Sequence, residues 1–284
     1  MRFASYLNAG RPGLALKTEN GWRGLSEGDA SYPGTLQSLI QTGGDALSRA
    51  AGVLASAPAV DMGTVTLLPP LSNPEKIVCI GLNYKDHSAE SGFKQPEYPT
   101  VFGRFNSSLI AHGAAILRPA FSEQLDYEGE LAAIIGKTAR DVTEEDALDH
   151  IAGYSVFNDG SIRDYQFKAP QWTPGKNFDD TGAFGPDFVT ADDLPPGCEG
   201  LRLQTRLNGQ VVQDASISDM VFPVAKLVAI LSQFMTLKPG DVIVTGTPSG
   251  VGLARKPPLF MKHGDTVEVE IDRVGLLRNP VRDR

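Results

Sequence analysis

The 284-residue sequence predicts an α+β protein in which β-structure predominates. Three observations carry that prediction. Short apolar stretches alternate with Gly, Pro and Asn turn formers along most of the chain. Few segments place apolar residues at helical spacing. Asn208 and Gly209 sit inside LRLQTRLNGQVVQDA as the two-residue turn of a hairpin. With 41% hydrophobic residues the chain has ample material for a sizeable core.

In chain order, MRFASYLNAGRPGLALKTENGWRGLSE reads as small strands, followed by one helical stretch, GTLQSLIQTGGDALSRAAGVLASA. Together they predict a small N-terminal β/α domain over residues 1–70. LLPPLSNPEK marks its end, because its prolines and Asn-Pro step disfavour regular structure. Residues 71–284 form the larger second domain. There KIVCIGLNY is a strand that runs out through Gly81, and YKDHSAESG is helix-compatible up to its glycine. YPTVFGRF and LAAIIG follow as strands, TEEDALDHI as a helix, GYSVFNDG as a strand, and then the Asn-Gly hairpin. SDMVFPVAKLVAILSQFMTL shows helical spacing and stops at Lys238-Pro239-Gly240. DVIVTGTPSGVG and DTVEVEIDRVGLL supply the last strands.

A net charge of −8 argues against nucleic acid or an anionic membrane as the main partner, since either needs a basic face. The two cysteines, Cys79 and Cys198, make no disulfide framework and point to a reducing compartment. With no apolar leader at the start and no run of membrane-spanning length, the sequence predicts a cytoplasmic protein.

The chemistry concentrates in acidic residues. LDYEGELAAIIG places Asp126, Glu128 and Glu130 at alternating positions, so on a strand they share one face with roots about 6–7 Å apart. On an exposed strand such acids are merely solvated. Here the strand continues into LAAII, which reads as buried, and Asp159 ends a second apolar strand. Glu128, Glu130 and Asp159 together suit a hard divalent cation, Mg²⁺ or Mn²⁺, which prefers oxygen ligands. No histidine or cysteine stands at zinc spacing beside them.

His87 and Glu90 are three apart and share a helix face. A carboxylate that fixes one imidazole nitrogen makes the other a better base for deprotonating water; the plainer alternative is an exposed helix with a chance acid neighbour. Arg163 and Gln166 lie one helical turn apart beyond Asp159. Lys176 lies in a loop rich in Pro, Gly and Asp, solvated unless it faces the acids, where it would neutralise an oxyanion. The glycines of TGTPSGVG let backbone N–H groups approach a carboxylate, with Thr247 adding a hydroxyl. The segment lacks the Lys-Ser/Thr ending of a phosphate-binding loop.

Six segments in order, KIVCIGLNYKDHSAESG, DYEGELAAIIGK, GYSVFNDGSIRDYQ, WTPGKNFDDTGAFGP, LNGQVVQD and LKPGDVIVTGTPSGVG, resemble the fumarylacetoacetate hydrolase family over residues 76–271. The resemblance implies a rolled, mixed β-sheet fold and a homodimer. It implies Mg²⁺ or Mn²⁺ on Glu128, Glu130 and Asp159, with His87 and Glu90 as the water-activating pair on a helix that closes over the site. It implies Gln166 and Lys176 as the groups that orient substrate and stabilise negative charge, Arg163 nearby, and Thr247 on the substrate carboxylate. Asp126 takes no ligand role. Where relatives often carry lysine then proline, this chain has Arg104 and Phe105, and an arginine there either grips a carboxylate at the far end of a substrate or pairs with a surface acid.

The implied partner is a small 2-oxo or diketo acid. The implied activity is hydrolysis of a carbon-carbon bond in a 2,4-diketo acid such as an acylpyruvate, in a catabolic route. The same fold also serves a decarboxylase, isomerase or dehydratase of a 2-oxo acid such as oxaloacetate. The His87–Glu90 pair favours hydrolysis, because decarboxylation needs no attacking water. A third reading, a noncatalytic module that binds a 2-oxo acid, requires the acids but not that pair.

Overall fold

A computed structural model describes residues 1–86 and 96–284. His87 and Glu90 therefore lie outside the described residues. The fold is mostly β, as the sequence predicts. Among the described residues an eleven-stranded mixed sheet packs against a five-stranded one.

The large sheet runs in the order Gly21–Ser26, Arg11–Thr18, Arg2–Asn8, Gly182–Thr190, Ile151–Asp159, Gly129–Ile135, Val242–Val244, Ile77–Gly81, Thr100–Gly103. Most neighbours are antiparallel, but Val242–Val244 runs parallel to Ile77–Gly81. The smaller sheet places the hairpin Arg202–Leu207 and Gln210–Ser216 beside Thr266–Ile271 and Gly275–Asp283.

Gly129–Ile135 is the strand on which both layers meet, and each of its seven residues is buried. Ala132 and Ile134 join one apolar cluster, with Phe3, Leu14, Phe157 and Phe188. Leu131, Ala133 and Ile135 join the other, with Leu203, Val267 and Val269 of the smaller sheet. Alternate side chains thus bury on opposite faces, which is why the strand reads as an unbroken apolar run.

The structure departs from the sequence expectations at three places. The sheet does not stop at residue 70: Arg2–Asn8 pairs with Gly182–Thr190, and residues on both sides of the proline segment share one core. The predicted single N-terminal helix is two, Leu36–Thr42 and Ala46–Ala55. Gly43 and Gly44, at φ 70° and 58°, break it in the left-handed region. The helix expected over TEEDALDHI is only a four-residue 3₁₀ turn, Ala147–His150.

Asn83 ties the end of Ile77–Gly81 to the segment after Val244. Its buried side chain donates to the carbonyls of Phe222 (3.0 Å) and Thr245 (2.7 Å) and accepts from the Phe222 amide (2.8 Å). Replacing it by alanine strands three buried backbone groups. We expect Asn83→Ala to lower the unfolding free energy by about 2–4 kcal/mol in a urea titration.

Candidate functional site

Strand register brings the acids together. Glu130 stands opposite Phe157 and Gly129 opposite Asn158. Continuing that register sets Glu128 beside Asp159, whose amide donates to the Glu128 carbonyl at 2.8 Å. Residues two apart share a face, so Glu128, Glu130 and Asp159 all project from the side that carries Phe157. All three are buried, and one oxygen of each lies within 4.8 Å of the others. Gly129, between the glutamates, carries no side chain because a Cβ there would collide with Thr205 Oγ1.

Asp126 does not join this trio, although alternation predicts a shared face. Leu125–Asp126 forms a separate short strand paired with Ser161–Ile162. The Asp126 carboxylate turns to Arg163 Nε (2.8 Å) and to the amides of Gly252 (2.7 Å) and Leu253 (2.9 Å).

Three buried cations face the acids. Lys176, which ends the short helix Thr173–Lys176, places Nζ 2.6 Å from both Glu128 Oε2 and Asp159 Oδ2. Arg163, at the start of the helix Arg163–Gln166, bridges Asp126 and Glu128, the latter at 2.7 Å. Arg104 pairs with Asp159 from behind and also donates to the Gly160 carbonyl, Thr181 and Ser108. Its guanidinium is consumed there and takes no part in lining the cavity. The expectation that it grips a substrate or pairs with a surface acid is corrected: its acid is Asp159, at the centre of the site.

Among the described residues, four buried carboxylates thus meet three buried cations. The imbalance shows at Glu130, whose carboxyl is pushed well above its ordinary value by burial and then by the charges of Asp159 and Glu128. Burial opposes the charge on Lys176, but Asp159 and Glu128 outweigh it and hold the ammonium above its usual range. The donor set is all oxygen, convergent, buried and one positive charge short. Those properties fit a hard divalent ion held by Glu128, Glu130 and Asp159.

Of these groups Glu128, Glu130, Arg163 and Lys176 line a cavity of about 430 Å³. Gln166 lines it with its orientation fixed, because its Oε1 accepts from Arg163 Nη1 at 2.9 Å and leaves the Nε2 amide as the free donor. Thr247 also lines it, yet its hydroxyl donates to the Gly129 carbonyl (2.9 Å) and accepts from Gln213 (2.8 Å). Its proton is therefore spent on holding the acidic strand. The adjacent Gly246 amide donates to Glu130 at 2.5 Å. Phe102 and Trp172, in edge contact, form an apolar wall that the sequence did not point to. One signal was present: Gly81 has no side chain because the Trp172 ring occupies the space of its Cβ.

The Fumarylacetoacetate (FAA) hydrolase C-terminal family model matches residues 76–282. The chain is 41% identical over 288 residues to the mitochondrial oxaloacetate tautomerase of Xenopus laevis, covering 99% of this chain and 90% of that protein. It is 40% identical over 275 residues to a human mitochondrial oxaloacetate tautomerase, covering 95% and 87%. Among solved structures, a fumarylacetoacetate hydrolase from Exiguobacterium antarcticum superimposes with a TM-score of 0.86 at 35% identity, over the whole of both chains. A maleylpyruvate hydrolase from Sphingobium, in complex with manganese (II) and pyruvate, gives 0.80 at 28% identity over 100% of this chain and 99% of that one. This chain belongs to the fumarylacetoacetate hydrolase family.

Proposed function

We propose that the protein is a metal-dependent tautomerase that interconverts the keto and enol forms of oxaloacetate or a close 2-oxo acid. The observation that carries this reading is the trio of buried carboxylates, two of them bridged by Lys176, beside a cavity that Glu128, Glu130 and Lys176 line. The names of relatives that are 38–41% identical over 95–99% of the chain favour enolisation over the carbon-carbon cleavage that the His87–Glu90 pair alone suggests.

Tautomerisation moves one proton between C3 and the oxygen on C2; no water is consumed and no carbon-carbon bond breaks. A divalent ion, Mg²⁺ or Mn²⁺, on Glu128, Glu130 and Asp159 would supply Lewis acidity at the 2-oxo group. Two of the three N–H bonds of Lys176 point to Glu128 and Asp159, which leaves the third for the oxygen where negative charge develops. Gln166 Nε2 offers a second donor from a side chain that Arg163 orients. Thr247 acts through its neighbours: it fixes the Gly129 carbonyl beside both glutamates. His87 and Glu90 follow cavity-lining Gly81 and Leu82 in the chain, and in this proposal they shuttle the C3 proton.

Hydrolysis of an acylpyruvate is the second reading, favoured by the structural likeness to the maleylpyruvate hydrolase. Products separate the two. In freshly dissolved oxaloacetate, followed by the ultraviolet absorbance of the enol, the protein with Mg²⁺ is expected to accelerate decay to the keto–enol equilibrium without releasing pyruvate or carbon dioxide, and EDTA is expected to abolish the effect. Cleavage of an acylpyruvate with no effect on enol decay would establish the second reading instead.

The ligand set has its own test. Glu130→Gln is expected to weaken Mn²⁺ binding by about 100-fold or more in calorimetric titration, at or beyond the upper end of what altering a ligand's neighbours costs. Unchanged affinity would remove Glu130 from the site.

A further inference from the structure

Of the cations that line the cavity, Arg163 and Lys176 are committed to carboxylates. Lys256 also lines it and is exposed to solvent, and among the described residues its ammonium has no acidic partner. An exposed lysine is ordinarily just solvated. This one differs in two respects.

The loop that carries it is tied down on both sides of it. The amides of Gly252 and Leu253 donate to the Asp126 carboxylate, and the Leu259 amide donates to the Gly252 carbonyl at 3.0 Å. Arg255, the preceding residue, spends its guanidinium on Tyr127 Oη (3.1 Å), the Gly250 carbonyl (3.1 Å) and the Val212 carbonyl (2.6 Å). An ammonium with no acidic partner among the described residues therefore extends from a loop whose flanks are held. The anchor is also shared: Asp126 holds this loop and, through Arg163, the acidic end of the site. Phe102, Trp172, Val251 and Leu253 line the same cavity and offer no side-chain polar partner beyond the indole N–H.

We propose that Lys256 is a specificity determinant that selects 2-oxo dicarboxylates by receiving the carboxylate remote from the 2-oxo group. This rests on the reading under which Glu128, Glu130 and Asp159 mark the end that takes the 2-oxo group. A substrate with anionic groups at both ends matches a cavity with a metal-binding pole inside, an apolar wall, and a cation at the solvent side. A monocarboxylate leaves Lys256 in water and gains nothing from it.

The test is calorimetric titration of the full-length, Mg²⁺-loaded protein with pyruvate, oxaloacetate and 2-oxoglutarate. At low salt the natural protein is expected to bind at least one dicarboxylate about fivefold tighter than pyruvate, the upper end of what a single exposed ion pair gives. Lys256→Met is expected to erase that advantage while pyruvate affinity stays within about twofold, and Lys256→Arg to keep it. Raising ionic strength should shrink the preference in the natural protein and leave Lys256→Met indifferent. A natural protein with no dicarboxylate preference, or a preference that survives in Lys256→Met, overturns the assignment. Metal-dependent binding without enol turnover would sink the tautomerase reading alone, and absence of metal-dependent binding would sink both.

Discussion

The Lys176 ammonium, 2.6 Å from Glu128 and from Asp159, is the contact on which the site depends. Taking a carboxylate out of water costs several kcal/mol even after the protein relaxes, and the acids here are almost fully buried. They are tolerated because Lys176, Arg163 and Arg104 approach from three directions. Each cation serves a different acid or pair: Arg104 backs Asp159, Arg163 joins Asp126 to Glu128, and Lys176 spans the gap between the two strands. Removing one member of such a set leaves an uncompensated buried charge, the arrangement that destabilises most. Stability and chemistry are therefore bound up in the same contacts.

The sheet supplies the precision. Glu128 and Glu130 precede or open a strand that is buried on both faces, while Asp159 closes its neighbour, so the carboxylates stand where two apolar strands run out together. A one-residue slip in that pairing would turn the acids to the opposite face. Two apolar clusters, one on each side of Gly129–Ile135, oppose such a slip. Asn83 and Thr247 extend the same order outward, since each spends its side chain on the backbone of a neighbouring segment.

Much of this was legible in the sequence. The acidic trio could be read because period-two spacing and an apolar continuation are local signals, and Asp159 stood out as an acid ending an apolar run. The partners of Arg104, Asp126 and Thr247 were not legible. Arg104 reaches Asp159 across 55 positions, and Asp126 reaches the loop at Gly252 across 126; such pairings are fixed by tertiary register, which spacing does not encode. Asp126 also shows where alternation misleads: the strand is interrupted between residues 126 and 129, and the period-two rule ends with it. The two N-terminal helices read as one in sequence because the pattern is apolar on both sides of Gly43 and Gly44. Lys256 gave no signal, since RKPP reads as an ordinary polar loop.

Charge balance links the structure to its chemistry. Without a bound cation the described ionisable groups at the inner end sum to one net negative charge when all are ionised, and an anionic 2-oxo acid would be repelled. A proton on Glu130 relieves the repulsion only to neutrality. Were a divalent ion held by Glu128, Glu130 and Asp159, the sum would become one net positive charge, a field that would favour an anionic 2-oxo acid. Electrostatics alone would then favour binding of the cation before an anionic substrate. The same field suits enolisation, where negative charge gathers on the C2 oxygen as C3 loses its proton and is neutralised when that oxygen takes a proton up, without any requirement that a bond in the carbon chain break.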